Sequence, residues 1–315
     1  TYLNNRNLKY RGNDDSSEDN LTLRLRSVEQ KTTLRAENRS YLGRWTVREG
    51  AELSYSGYTN RTEQRLFTDE AALSDYRTRL GIVGWGLFAG ADYASADKRF
   101  TASVGVRADG ADYSARMARF WRQLSPRASV SYQLGKGWLL SGSAGLYYQL
   151  PPYTALGYKD NTGELVNRGL EYMRVLQSAV GVNWRLRDRL VVSLEGFYKY
   201  YTNIPLSVAD DVPLTCKGND YGTSGDELLV SSAQGRAYGL ELMVGEESAQ
   251  LSSGGTAGAM EFVVGIFHLI HLEYGLQASF VEGGIVGYQG QTFYLGRNLC
   301  PDFREDIGIH RVFQG

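Results

Sequence analysis

Between Lys98 and Gln149 the sequence alternates apolar and polar residues through three consecutive runs, and this constrains the fold more than any other feature. In Arg99 to Asp109, Phe100, Ala102, Val104, Val106 and Ala108 fall on one face, and Thr101, Ser103, Gly105, Arg107 and Asp109 on the other. A period of two over such a length belongs to strands with two unlike faces. Ser125 to Leu134 repeats it with Ala128, Val130, Tyr132 and Leu134. After Gly135-Lys136-Gly137 it returns as Trp138, Leu140, Ala144, Leu146 and Tyr148 against Ser141, Ser143, Gly145, Tyr147 and Gln149. Small polar residues and charges line one face, and the apolar face ends in aromatics. That suits a membrane β-barrel with lipid outside and a polar lumen inside. A soluble antiparallel sheet with one wet face shares the alternation and stays open at this point.

Composition narrows the field. The chain has 315 residues, enough for one large barrel or two domains. Its formal net charge of −1 gives no basic footprint, so no nucleic-acid partner is expected. With 37 glycines, 22 tyrosines and 6 prolines, it suits many strands joined by turns, with tyrosines at membrane interfaces. A mean hydropathy of −0.35 is compatible with that, because barrel strands bury only alternate residues in lipid. No run reaches the roughly 18 apolar residues of a spanning helix; Phe262 to Leu272 comes nearest. The chain begins at Thr1, which reads as a mature form or a fragment. Cys216 and Cys300 are too few for a disulfide framework, and sequence alone does not supply the geometry of a bridge between them.

In chain order, strands are expected at Tyr2 to Arg11, Leu21 to about Asn38, Trp45 to Tyr58 and Tyr76 to Ser95. After the central three come Leu176 to Leu186, Leu190 to Tyr201 and Arg236 to Val244. This reading gives about eleven strands up to Val244. The connections alternate in length. Short ones lie at Arg39–Gly43, Ala96–Lys98, Lys136 and Arg187–Arg189. Long ones lie at Gly12–Asn20, Thr59–Asp75, Gly110–Leu124, Pro151–Tyr172 and Asn203–Gly235. Such alternation puts every long loop at one end, as in outer-membrane barrels with tight periplasmic turns and long extracellular loops. A Greek-key sandwich has no reason to sort its loops this way. The expected fold is therefore all-β: an antiparallel up-and-down transmembrane β-barrel in the bacterial outer membrane.

Four runs then carry a resemblance: Phe100 to Trp138 (with SPRASVSYQL), Tyr147 to Tyr158 (YYQLPPYTALGY), Leu194 to Asp210 (LEGFYKYYTNIPLSVAD) and Gly235 to Leu242 (GRAYGLEL). They resemble the barrel of TonB-dependent outer-membrane receptors, in the form common in Bacteroidetes-type bacteria. The resemblance covers roughly Tyr2 to Val244. It implies a barrel of about twenty-two strands, a plug inside it, and import of a scarce nutrient (siderophore, vitamin, glycan or peptide) driven through the TonB complex. It further implies contact with outer-membrane lipid, and admits a surface lipoprotein partner. No plug or TonB-binding segment is visible, so the chain reads as an incomplete barrel, about half, which alone should not transport. Two divisions are expected: 1–244, the partial barrel with long loops, and 245–315, a divergent tail in which the alternation fades, either translated out of frame or genuine. A passive porin or adhesin barrel, and a soluble β-rich surface binding module, remain as alternatives.

Nothing in the sequence points to an enzyme or a cofactor: there is no phosphate loop, nucleophile elbow or zinc-protease helix. His268 and His271, spaced i and i+3, would share a face on a helix, but no second ligand pair stands nearby, so no metal site is expected. Asp160-Asn161-Thr162-Gly163-Glu164 has calcium-loop flavour without the full spacing and reads as a solvated turn. The candidate ligand-binding residues, in extracellular loops, are Gln149, Tyr153, Tyr158, Asp160, Tyr201 and Asn203, whose ring faces and amides suit glycans, peptides or chelates. Tyr200 reads better as part of an interfacial aromatic belt. Arg107, Asp109 and Glu195 are expected to face the lumen and to pair with one another or with a plug.

Overall fold

The computed structural model describes residues 2–12, 21–66, 72–135, 137–160, 163–186, 190–217, 225–246, 261–271, 278–288 and 291–296. They form one antiparallel sheet in which each strand pairs with its neighbours in the chain. The strands are β1 (Tyr2–Gly12), β2 (Leu21–Leu42), β3 (Trp45–Leu66), β4 (Ala72–Ala94), β5 (Phe100–Ala111), β6 (Leu124–Gly135) and β7 (Trp138–Gln149). There follow β8 (Met173–Arg185), β9 (Leu190–Ser207), β10 (Leu229–Glu246), β11 (Glu261–His271), β12 (Ala278–Tyr288) and β13 (Gln291–Gly296). Ten strands precede residue 247, one fewer than the sequence suggests. Among the described residues β1 and β13 pair on one side only, so the sheet is an open up-and-down wall.

The two faces follow the alternation. Leu34, Leu53, Leu87, Val104, Val130, Leu140, Val180, Leu194 and Leu240 project outward and are exposed. The opposite face carries cross-strand rows such as Asp92, Ser103, Ser129 and Ser143. At the short-turn end the outward face closes with aromatics. Trp45 packs on Tyr93 with centroids 4.9 Å apart, Tyr93 meets Phe100 at 6.2 Å, and Trp138 stacks on Trp184 at 4.8 Å. Two of these short turns use left-handed backbone: Gly43 at φ 65°, and Lys98 at φ 55° in a turn tied by Ser95 and Asp97. Lys136 and Arg187–Arg189 lie outside the described residues.

One expected loop is largely strand, and a second is shortened by strand at both ends. Thr59–Asp75 is absorbed by β3, which runs to Leu66, and β4, which starts at Ala72; their register holds without a slip from Trp45↔Tyr93 to Leu66↔Ala72. The sequence hides this because Thr59, Asn60, Arg61, Thr62 and Glu63 offer no apolar face. At 22 and 23 residues β3 and β4 are about twice the span of a bilayer strand, so this end projects beyond the hydrocarbon, where lipid no longer imposes the alternation. Glu63 pairs with Arg61 on its own strand (2.7 Å) and ties β3 to β2 through Arg24 (3.3 Å). Likewise Asn203–Gly235 shortens, because β9 continues to Ser207 and β10 starts at Leu229, through register shifts between Ser231 and Gly235. Beyond Val244, β11, β12 and β13 pair in sequence order in the stretch read as the divergent tail.

Candidate functional site

The long loops do not stand apart from the wall. Three of them, between β5 and β6, β7 and β8, and β9 and β10, share one apolar core with the inner face of β3 and β4. Tyr58, Leu80 and Ile82 supply the wall. Tyr113 and Met117 come from the first loop, Ala155, Leu156 and Leu170 from the second, and Leu214 from the third, with Leu229 opening β10. A one-turn α-helix, α1 (Tyr153–Leu156), follows Pro151-Pro152 and seats Leu156 in that core. Gly225 passes the helix at φ 100°, and a Cβ there would come within 3.0 Å of the Ala155 nitrogen.

Asn167 joins the second and third loops. Its side chain is buried, its Nδ2 donates to the carbonyls of Ala155 and Glu227 at 2.8 Å each, and its Oδ1 accepts from the Leu229 amide at 2.9 Å. The Tyr113 hydroxyl donates to the Leu156 carbonyl at 2.8 Å, and Arg168 donates to the Tyr113 carbonyl at 3.3 Å. Burial pushes the Tyr113 hydroxyl up to about 12, against the pull of Arg168. In the third loop Lys217 bridges Asp210 (2.7 Å) and Glu227 (2.7 Å), and Ser207 donates to Glu227. The bond from Lys217, then the Val212 amide, hold the Asp210 carboxyl down at about 2.

Beneath this cap lies a cavity of about 560 Å³ between the loop core and the inner wall. Its floor holds Arg107, whose Nε donates to Asp109 at 2.8 Å and whose terminal nitrogens reach Glu52 at 3.3 and 3.4 Å. Arg35 approaches Glu52 from the other side at 3.7 Å. Glu29 and Lys31 line the same space, and Tyr153, Tyr172 and Pro152 supply ring surfaces. Tyr153 stacks on Tyr58 at 5.9 Å. Charged groups around a polar floor with aromatic walls can grip a ligand by directional hydrogen bonds and ring contact.

Of the candidate residues, Gln149 and Tyr153 line this cavity together with Arg107 and Asp109. Tyr158 and Asp160 do not; Asp160 shapes a turn, its carboxylate accepting the Glu164 amide at 3.1 Å, with Gly163 at φ 83°. Tyr201 packs beside Ile204, Leu206 and Ala233. Asn203 sits at φ 59° and donates to the Tyr172 carbonyl at 3.3 Å, a conformation Asn tolerates better than most residues. Glu195 lines a second space of about 430 Å³ nearer the short turns, walled by Thr101, Ser103, Ser131 and Ser141. Tyr200 points outward and donates to Gln234. Glu29, Lys31 and Glu52 were missed by sequence reading, although extending the alternation of β2 and β3 puts them on the face of Arg107. His268 and His271 lie on a strand, β11, and not on a helix. Among the described residues no group of His, Cys, Asp or Glu is arranged to hold a metal ion. Cys300 lies outside them.

An open up-and-down wall with an outward apolar band, aromatic belt and loop-filled mouth matches one family. The model of the TonB dependent receptor-like β-barrel aligns with residues 1–292. This chain belongs to that family. The TonB-dependent receptor barrel is an outer-membrane structure, which fixes the outward face as the lipid face. No curated protein matches the chain in sequence. Among solved structures, the copper transporter OprC superposes with a TM-score of 0.55 at 12% identity, over 91% of this chain and 45% of that one. The pyoverdine outer membrane receptor FpvA from Pseudomonas aeruginosa PAO1 gives 0.54 at 13%, over 92% and 45%. The ferric-catecholate import receptor Fiu from K12 E. coli gives 0.51 at 12%, over 94% and 48%. The chain thus spans less than half the length of these receptors, and at such identities the likeness concerns the fold.

Proposed function

We propose that this TonB-dependent receptor barrel contributes the ligand-receiving wall of an importer that carries a nutrient across the outer membrane, and is not an enzyme. The observation that carries the reading is the cavity under the loop cap, with Arg107, Asp109 and Glu52 on its floor and Tyr153 and Tyr172 above. The ligand class is a small molecule, glycan or peptide. The five charged side chains of the lining are Glu29, Glu52 and Asp109 against Lys31 and Arg107. Three acids against two bases favour a neutral or cationic ligand over a multiply anionic chelate. Energy would come from the TonB complex acting through a plug region, and a surface lipoprotein is a further partner for the exposed side of the loops.

A passive porin is disfavoured because the loops are packed into the mouth by a shared apolar core rather than held clear of it. The test is ligand binding by the purified receptor, followed by uptake into cells with and without TonB. Tyr153→Ala and Arg107→Gln should each weaken binding by about tenfold, while a Lys159→Gln control should not. Uptake unaffected by loss of TonB would sink the energy-coupled reading, and unchanged binding in both variants would remove this cavity from it.

A further inference from the structure

The lipid-facing side of β8, β9 and β10 carries two arginines within two residues of one another in register. Arg174 stands opposite Thr202 and its Nε donates to the threonine hydroxyl at 2.9 Å. Arg236 stands opposite Tyr200, with its guanidinium 5.5 Å from that ring. Both share the outward parity of Leu176, Val180, Tyr198, Tyr238 and Leu240, all exposed. Arg174 is itself exposed, and Nε is the one of its three nitrogens that is bonded within the described residues.

Their height is set by the opposite belt. Trp184, stacked on Trp138, marks the short-turn interface. Arg174 lies ten residues further along β8. At about 3.3 Å per residue and a tilt of about 40°, that is roughly 25 Å along the membrane normal, the height of a barrel's apolar band. Arg174 therefore reaches the headgroup level of the outer leaflet, with Arg236 slightly deeper. Between the two interfaces the outward positions of 174–184, 192–202 and 234–244 hold no carboxylate. Immediately below the cations lies a groove of about 420 Å³, opened by Gly196 and walled by Val180, Tyr198, Tyr238 and Leu240. A cationic pair directly above an apolar groove, on a face already immersed in lipid, is complementary to one molecule: a lipid with a phosphorylated headgroup and an acyl chain.

We propose that this face binds a phosphate-bearing lipid of the outer leaflet, with Arg174 and Arg236 on the phosphate and one acyl chain along Gly196. Their backbone positions stand two strand spacings and two residues apart, roughly 12 Å, and both side chains lean over β9, Arg174 onto Thr202 and Arg236 beside the Tyr200 ring, so both can reach one headgroup. This site is separate from the ligand cavity and independent of what the receptor imports.

The test is native mass spectrometry of the receptor released from phosphatidylcholine nanodiscs doped with bisphosphorylated lipid A or with its dephosphorylated form. The wild type should retain the phosphorylated lipid, and R174Q/R236Q should lower that retention by about tenfold or more. Dephosphorylated lipid should bind both proteins equally, and inorganic phosphate should not displace the lipid. Heat-shifted mobility on gels checks that the variant is folded. Should it fail to fold, Gly196→Val provides the second arm: it fills the groove against the flexible end of Leu240 and should lower retention with both arginines present. Equal retention by wild type and a folded variant overturns the proposal. So does equal loss with the dephosphorylated lipid, or displacement by phosphate alone, which would reduce the site to an anion contact.

Discussion

At the scale of single residues, Asn167 and Tyr113 decide whether the loops hold together. Asn167→Ala removes three hydrogen bonds and strands the buried Ala155 carbonyl, the half-buried Glu227 carbonyl and the Leu229 amide, so the cap should lose about 3 kcal/mol of local stability. Hydrogen exchange should speed up across 153–172 and 225–231 while β5 to β7 stay protected; uniform exchange throughout would contradict this. Tyr113 has its folded value raised from 10.0 to about 12. Its contribution is therefore complete below pH 10 and is lost as pH rises toward 12, because the unfolded hydroxyl ionises first. Limited proteolysis of the first long loop should increase across that window, and Tyr113→Phe should abolish the pH dependence. The Asp210 carboxyl is depressed from 3.8 to about 2, so the contact with Lys217 is complete above pH 4 and disappears as pH falls through 2. Neither residue was legible beforehand, since each acts on backbone groups distant in the chain, and periodicity reports nothing of those.

At the scale of strands, the two faces predict opposite tolerances. Val104→Arg places a guanidinium in hydrocarbon and should cost ~2–4 kcal/mol near mid-bilayer. Ser103→Arg turns the same group toward Asp92, which already accepts from Ser103 at 2.6 Å, and should cost little. Comparing outer-membrane insertion of the two variants checks this, and equal insertion would refute the face assignment. Here the sequence was most informative, because lipid on one side and polar lumen on the other impose alternation residue by residue. It failed where that constraint ends. β3 and β4 keep their pairing beyond the hydrocarbon, where no lipid demands an apolar outward face and polar Asn60 and Thr62 are buried on the other, so Thr59 to Glu63 look like loop while forming strand. An epitope placed between Leu66 and Ala72 should accordingly be reached by antibody on intact cells without disturbing the wall, since the paired strands carry it clear of the lipid.

At the scale of the whole molecule, the wall and the cap were unequally readable. The order of short and long connections gave the up-and-down topology and the end at which the long loops gather. Arg107 and Asp109 followed from parity alone. Glu52 and Lys31 share that face, but that they line one cavity with Arg107 depends on the register of β2 through β5, and Tyr172 reaches the same cavity through a loop fold that no local pattern encodes. Asn203 and Tyr201 stood beside the right loop and turned out to be engaged in holding its stem. The shared core beneath the cap has an evolutionary consequence. A surface loop that is free of its neighbours can change letter by letter under attack from outside. Loops fastened through one asparagine and one tyrosine cannot, because a substitution suited to one must be matched in the other two. Escape from an agent that grips this surface should therefore proceed by exchange of the three loops as a block, rather than by accumulating changes in any one of them.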